Sequence, residues 1–311
     1  MLDLTTLHGI FPPLSTPLTP AGDIDRHSLK ALCGFVLESG VHGLWANGTT
    51  GEFACFDADE RQAIVSTCVE AAAGRVPVVA NVGDCSTRLA LGHAHRAAAA
   101  GADVLALTPP YYYLNSQDEL LAHFRAVRAA VDLPLLVYNI PQTVKARFDV
   151  PTILTLAGEG TIVGMKDSQN DLDWDRNLLV GLDQRGLEFR LFLGTRTLLD
   201  AGILVGAHGA ITGVANVVPA WYVAAYEAAV QGDFKTARRW QERIIATGPL
   251  TTVAGGSAHA ASFAGFKLAL KAMGIIAHAT LAAPLRSPTD DEEQRMAELV
   301  HQLELPIPVA A

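Results

Sequence analysis

The sequence predicts an α/β chain: a (β/α)8 TIM barrel with a C-terminal helical extension. Three observations predict it. Eight short apolar runs recur along the chain, each followed by a longer stretch of helical spacing. Runs such as Val76-Pro77-Val78-Val79-Ala80 are continuously apolar, as strands covered by helices on both faces are. A count of eight fits a closed barrel. The competing doubly wound sheet would place a G-x-G-x-x-G after its first strand, and none follows here.

The strand-like runs are Ile10 to Leu14, Gly43 to Ala46, Val76 to Val82 and Asp103 to Thr108. Pro134 to Asn139, Ile162 to Asp167, Phe189 to Gly194 and Gly209 to Thr212 complete them. Between runs, apolar residues recur at spacings of three and four, as in Leu120, Leu121, Phe124, Val127 and Val131. Asp57 or Asp59 begins one such helix and Ser86 or Thr87 the next. Ser116 followed by Glu119 reads as a capping box. The eighth unit closes near Gln231, so residues 1–231 form the expected barrel and residues 232–311 the extension. The extension reads as helices over Phe234 to Thr247, Ala258 to Met273 and Asp290 to Leu303. Leu281 to Pro288 is a loop, and a frayed tail begins at Pro306.

Composition narrows the function. The net charge is −9, which disfavours nucleic-acid or anionic-lipid partners. No apolar run reaches the roughly 18 residues of a membrane span. The N-terminus shows no basic segment of a secretory signal, and the charge and low pI together lead us to expect a soluble, cytoplasmic protein. Cys33, Cys55, Cys68 and Cys85 are scattered without metal-ligand spacing and read as free thiols. His93 and His95 stand two apart on a helix and point to different faces, so they do not form a metal site.

In a barrel of this kind, chemistry sits at the C-terminal ends of the strands. Asn47-Gly48-Thr49-Thr50-Gly51-Glu52 follows strand two and reads either as a carboxylate-binding turn or as a plain capped turn. Lys166, one of only six lysines, ends the apolar strand six. Its ammonium is either desolvated into a neutral, nucleophilic amine or paired with an acid such as Asp167. Tyr138, ending strand five, is a candidate proton shuttle. Tyr111-Tyr112-Tyr113 after strand four reads as an aromatic lid or a subunit contact.

Gly48-Thr49-Thr50-Gly51-Glu52, Thr108-Pro109-Pro110-Tyr111-Tyr112, Tyr138-Asn139-Ile140-Pro141 and Gly164-Met165-Lys166-Asp167 occur in this order. Together they resemble the dihydrodipicolinate synthase / N-acetylneuraminate lyase superfamily across about 300 residues. The resemblance implies a pyruvate-type class I lyase without metal or organic cofactor, working through a covalent imine on Lys166. It makes Tyr138 the acid/base and has Thr50 pass protons to it. Tyr112 matches the relay tyrosine lent by a neighbouring subunit. Thr49 and Thr50 would hold the keto-acid carboxylate, while Gly194 and Ile211 would line the pocket. It also implies a homotetramer, with a dimer as the smaller alternative.

Departures bear on the substrate. Dihydrodipicolinate synthases carry an arginine where this chain has Thr143, and Val144-Lys145 replaces their usual Thr-Gly. Gly194-Thr195-Arg196 follows strand seven, where an acidic residue often follows the glycine. The pattern looks closest to 2-keto-3-deoxy sugar-acid aldolases, with dehydratases sharing the scaffold. A 2-keto-3-deoxy acid is therefore the expected substrate. Arg196 is expected to bind its distal acid group, with Arg147 and Lys145 as competitors; alternatively, Arg196 faces solvent or pairs with Asp200. A synthase-like condensation, a keto-acid-binding protein without turnover and a metal-dependent aldolase are the rivals. The last needs a His/carboxylate cluster at strand ends, and the sequence shows none there.

Overall fold

A computed structural model describes residues 3–306. Eight parallel strands run in the order β1-β8-β7-β6-β5-β4-β3-β2. They are β1 (Gly9–Ile10), β2 (Leu44–Ala46), β3 (Val78–Asn81), β4 (Val104–Leu107), β5 (Leu135–Asn139), β6 (Gly164–Asp167), β7 (Arg190–Leu193) and β8 (Gly209–Ala210). Each falls inside or within a residue of its predicted run. β1 is shorter than expected because Pro12 and Pro13 have no N–H for a ladder. Its continuation still closes the barrel: His42 N–H donates to Ile10 O, Trp45 N–H to Pro12 O and Leu14 N–H to Trp45 O. On the other side Gly9 pairs with Gly209, where a side chain at Gly209 would strike the Gly9 carbonyl.

The barrel helices are α1 (Arg26–Glu38), α2 (Ala58–Ala72), α3 (Thr87–Ala99), α4 (Gln117–Ala130) and α5 (Pro141–Val144). They continue with α6 (Val150–Gly158), α7 (Leu172–Asp183), α8 (Leu199–Val205) and α9 (Pro219–Val230). Asp57 caps α2 and Ser116 caps α4, each in a reciprocal box with Glu60 or Glu119. Such a cap contributes roughly 0.5–2 kcal/mol. Ser86 caps α3. After the eighth unit come α10 (Phe234–Ala246), α11 (Ala258–Ala272) and α12 (Asp290–Gln302), within a residue or two of the sequence reading, and α11 and α12 make up a C-terminal helical extension. Of the tail expected to fray from Pro306, residues 307–311 lie outside the described residues.

The pleat sorts side chains into two layers. Leu135 and Val137 of β5 face the helices, as does Met165 of β6, within the large outer core. Leu136 and Tyr138 alternate inward, beside Trp45, Phe11 and Phe192. The same alternation, with Tyr138 opposite Lys166 and Lys166 opposite Phe192, turns Lys166 into the barrel. Among the described residues no helix is long and apolar enough to cross a membrane.

Candidate active site

Lys166 ends an inward-facing row and is 3% exposed. Its Nζ lies 4.0 Å from the centre of the Tyr138 ring and 5.1 Å from that of Trp45. Aromatic faces attract an ammonium, but they replace only part of its hydration. Burial therefore pulls the Lys166 amine down to about 7. Asp167, its neighbour in sequence, points to the other face of the sheet. It accepts from Asn139 Nδ2 at 2.6 Å and from Gln169 N–H at 3.1 Å. Pairing between Lys166 and Asp167 is thus not formed, and among the described residues Lys166 has no ion pair.

Tyr138 is held on two sides. Its ring meets Trp45 edge-on at 5.5 Å, and its hydroxyl is 3.0 Å from Thr49 Oγ1. Burial pushes the phenol up to about 12 while the Thr49 contact draws it down. At neutral pH it is a protonated phenol, suited to giving and regaining a proton through a hydrogen bond. The hydroxyl against it belongs to Thr49, whereas the resemblance gave the proton transfer to Thr50. The reason is local: the turn aims adjacent side chains in different directions, and Thr50 lies by Gly213 and Phe266 instead.

A cavity of about 290 Å³ opens above Lys166. Thr49, Thr50, Tyr138, Gly194, Ile211 and Arg196 all line it, so the structure gathers seven of the eight residues singled out in the sequence. Gly194 has to be glycine, because a Cβ there would stand 2.0 Å from Ser168 Oγ. Arg196 makes no ion pair with Asp200, whose carboxylate accepts from Ala201 N–H instead. Its rivals do not line this cavity, and Arg147 is paired with Asp171 at 3.0 Å.

Tyr112 is the eighth, and it stands apart. It is 78% exposed, beside Tyr113 at 74% and Leu114 at 76%. Tyr111 alone of the three folds inward, donating to Asp84 Oδ1 at 3.3 Å. It borders a second, apolar chamber of about 230 Å³ that shares Thr49, Ile140, His259 and Phe263 with the first cavity.

Sequence reasoning missed the wall supplied by the extension. His259, Ser262, Phe263 and Phe266 of α11 all face the cavity. Their three- and four-residue spacing marks one helix face, but nothing local says that this face covers a barrel mouth. Trp45 was missed as well, for it reads as an ordinary strand residue. Among the described residues no group of three or more His, Cys, Asp and Glu side chains is arranged to hold a metal ion. The free thiols divide evenly, Cys33 and Cys68 buried, Cys55 and Cys85 exposed.

Residues 6–303 match the family model of the dihydrodipicolinate synthetase family. An uncharacterized DapA-like lyase of Halobacterium salinarum is 35% identical over 286 residues, covering 92% of this chain and 90% of that protein. A 4-hydroxy-tetrahydrodipicolinate synthase of Phenylobacterium zucineum is 37% identical, covering 76% of this chain and 79% of its own length. YagE, an Escherichia coli K12 prophage protein of the dihydrodipicolinic acid synthase family solved with pyruvate, superposes with a TM-score of 0.90. Its identity is 26%, with 96% of this chain and 99% of YagE covered. A dihydrodipicolinate synthase of Bacteroides thetaiotaomicron gives 0.89 at 30% identity, covering 95% and 98%. The chain belongs to the dihydrodipicolinate synthetase family and is an enzyme of its pyruvate-dependent class I lyase type.

Proposed function

We propose that this enzyme reversibly cleaves, or dehydrates, a 2-keto-3-deoxy acid through an imine on Lys166. The observation that carries the reading is the buried Lys166 amine, without an acidic partner, 4.0 Å from the Tyr138 ring. The neutral amine attacks the C2 ketone, and loss of water gives the imine. Once protonated, the imine draws in the electron pair of the breaking C3–C4 bond. Tyr138 gives its proton to the hydroxyl that leaves as water when the imine forms, and as the phenolate so produced it takes the proton of the C4 hydroxyl, held by its hydrogen bond to Thr49. Protonation of the enamine at C3 and hydrolysis then release pyruvate and return the lysine. In dehydration, the C3 proton and the C4 hydroxyl leave instead. No metal or organic cofactor enters this scheme.

Thr49 and Thr50 hold the keto-acid carboxylate in this reading, the backbone at Gly194 and Ile211 forms the wall, and Arg196 takes a distal acid group. Residues 1–231 act as the catalytic barrel and residues 232–311 as its extension. The exposed tip at Tyr112 and the apolar chamber beside Thr49 suit exchange between two copies, each lending Tyr112 to the other. We place the chain in a homotetramer, with a dimer as the smaller alternative, in the cytoplasm. Nucleic acid and membrane are not partners in this account.

Borohydride reduction with pyruvate tests the reading. It should add one pyruvyl-sized mass to Lys166, and folded protein without that adduct would end the proposal. A keto-acid panel assayed for pyruvate release and for water loss separates aldolase from dehydratase. A second reading, condensation as in 4-hydroxy-tetrahydrodipicolinate synthase, is favoured by the names of relatives such as the Phenylobacterium protein. Thr143 in place of the synthases' arginine weighs against it. Imine formation without turnover on any aldehyde or keto acid would favour a binding protein.

A further inference from the structure

The Thr49–Thr50 turn is closed by two backbone bonds of its own, Gly51 N–H to the Gly48 carbonyl and Glu52 N–H to the Thr49 carbonyl, each 3.0 Å, and is held from outside as well. Asn47, just before it, and Glu52, just after it, both have left-handed backbones, with φ of 55° and 60°. Non-glycine residues persist there only where their surroundings hold them. Gly51 between them approaches the Leu14 carbonyl so closely that a Cβ would sit 2.7 Å from it. Thr16 Oγ1 donates to the Gly51 carbonyl at 2.8 Å.

A further hold on the turn comes from 215 residues away in sequence. Lys267 of α11 places its Nζ 2.6 Å from Glu52 Oε1, and both side chains are wholly buried. Lys267 also donates to the Thr280 carbonyl at 2.7 Å. Glu52 Oε2 accepts from Ala282 N–H at 2.7 Å. Glu52 is thus bound both to a helix of the extension and to the loop after it. Three residues earlier in the chain, Thr49 makes the 3.0 Å contact with the Tyr138 hydroxyl.

We propose that Glu52 and Lys267 are positioning residues: through their buried ion pair the C-terminal extension sets the Thr49–Thr50 turn against Tyr138 and the bound keto acid. The extension is then part of the catalytic apparatus and more than a cover. A charged pair in a dry site has one satisfied geometry, and it transmits that geometry to the chain on either side. An apolar contact in its place would let the turn slide. The inference rests on the imine reading, and borohydride trapping of the unaltered protein tests that reading separately.

The test compares the double variant E52Q/K267M, which removes both charges, with M296A, which opens a cavity under the buried Met296 of α12 and leaves the pair intact. Pyruvate KM, kcat and thermal midpoint are measured for each in the full chain. In E52Q/K267M the pyruvate KM should rise about tenfold and kcat should fall, while borohydride at saturating pyruvate still labels Lys166. M296A should lower the midpoint with KM within twofold of the starting protein. Unchanged KM and kcat in a folded double variant would overturn the proposal, as would equal KM changes in the two variants. If the double variant does not fold, E52Q alone supplies the readout, since its amide keeps the size of the carboxylate. A pyruvate KM raised at least threefold supports the proposal, and an unchanged KM overturns it.

Discussion

Lys166 and Lys267 are both buried, 3% and 0% exposed, but only Lys267 faces an acid. Burial lowers the amine of each. At Lys267 the carboxylate of Glu52 opposes that effect, and the ammonium remains as half of an ion pair. At Lys166, among the described residues, only two aromatic faces oppose it, and the amine falls to about 7. The difference teaches that depth alone does not make a lysine a nucleophile. On the proposed function a missing counter-charge does, and it leaves the folded state carrying an unpaired group that it would be more stable without.

The same substitution at the two positions separates these roles most sharply. Lys166→Met should lower turnover by more than about a thousandfold and abolish the borohydride adduct, as intact-mass analysis would show. It should also stabilise the fold. The folded amine near 7 lies below its unfolded value of about 10.4, so the unfolded chain binds more protons between those limits. The buried ammonium therefore costs stability in full below pH 7, and the cost fades as pH rises toward 10. Removing it should gain about 2–5 kcal/mol at or below pH 7 and little at pH 10, read from urea midpoints.

Lys267→Met should do the reverse. It leaves the Glu52 carboxylate buried without its partner and should cost about 3–5 kcal/mol in the same urea experiment. Stabilisation by this change would break the comparison.

Tyr138→Phe asks whether the aromatic face or the hydroxyl matters beside Lys166. The ring remains, so pyruvate should still be trapped on Lys166. Loss of the hydroxyl should lower kcat by about a hundredfold or more, measured as pyruvate release. Arg196→Ala has the smallest expected effect. KM for an acidic or phosphorylated substrate should rise about ten- to hundredfold, the loss of a charge-assisted bond of about 1.5–3 kcal/mol. Imine formation with pyruvate should be nearly unchanged. An unaltered KM across the panel would remove Arg196 from the site.

Lys166 could be singled out because a cation at the end of a short apolar strand stands out from the strand's own pattern, but that pattern left a neutral amine and an acid-paired lysine both open, and the resemblance chose between them. The barrel was legible for a related reason: each βα unit carries its signal within some thirty residues. Tyr138 and the threonine turn fell into place once strand ends were located. Which threonine meets Tyr138 was not legible, since it depends on the left-handed backbones at Asn47 and Glu52. The contributions of His259 and Lys267 were hidden too. They belong to a helix whose sequence reports amphipathicity but gives no sign of the strand end it covers. The bond between Glu52 and Lys267 joins residues 215 positions apart and has no local signature at either end.

The rate at which pyruvate is trapped on Lys166, followed against pH, tests the central claim most directly. Only the neutral amine attacks, so the rate should climb with pH and reach half its maximum near pH 7, where burial without a counter-charge places the Lys166 amine. A midpoint near pH 10, as for a lysine in water or one held by an acid, would contradict the account.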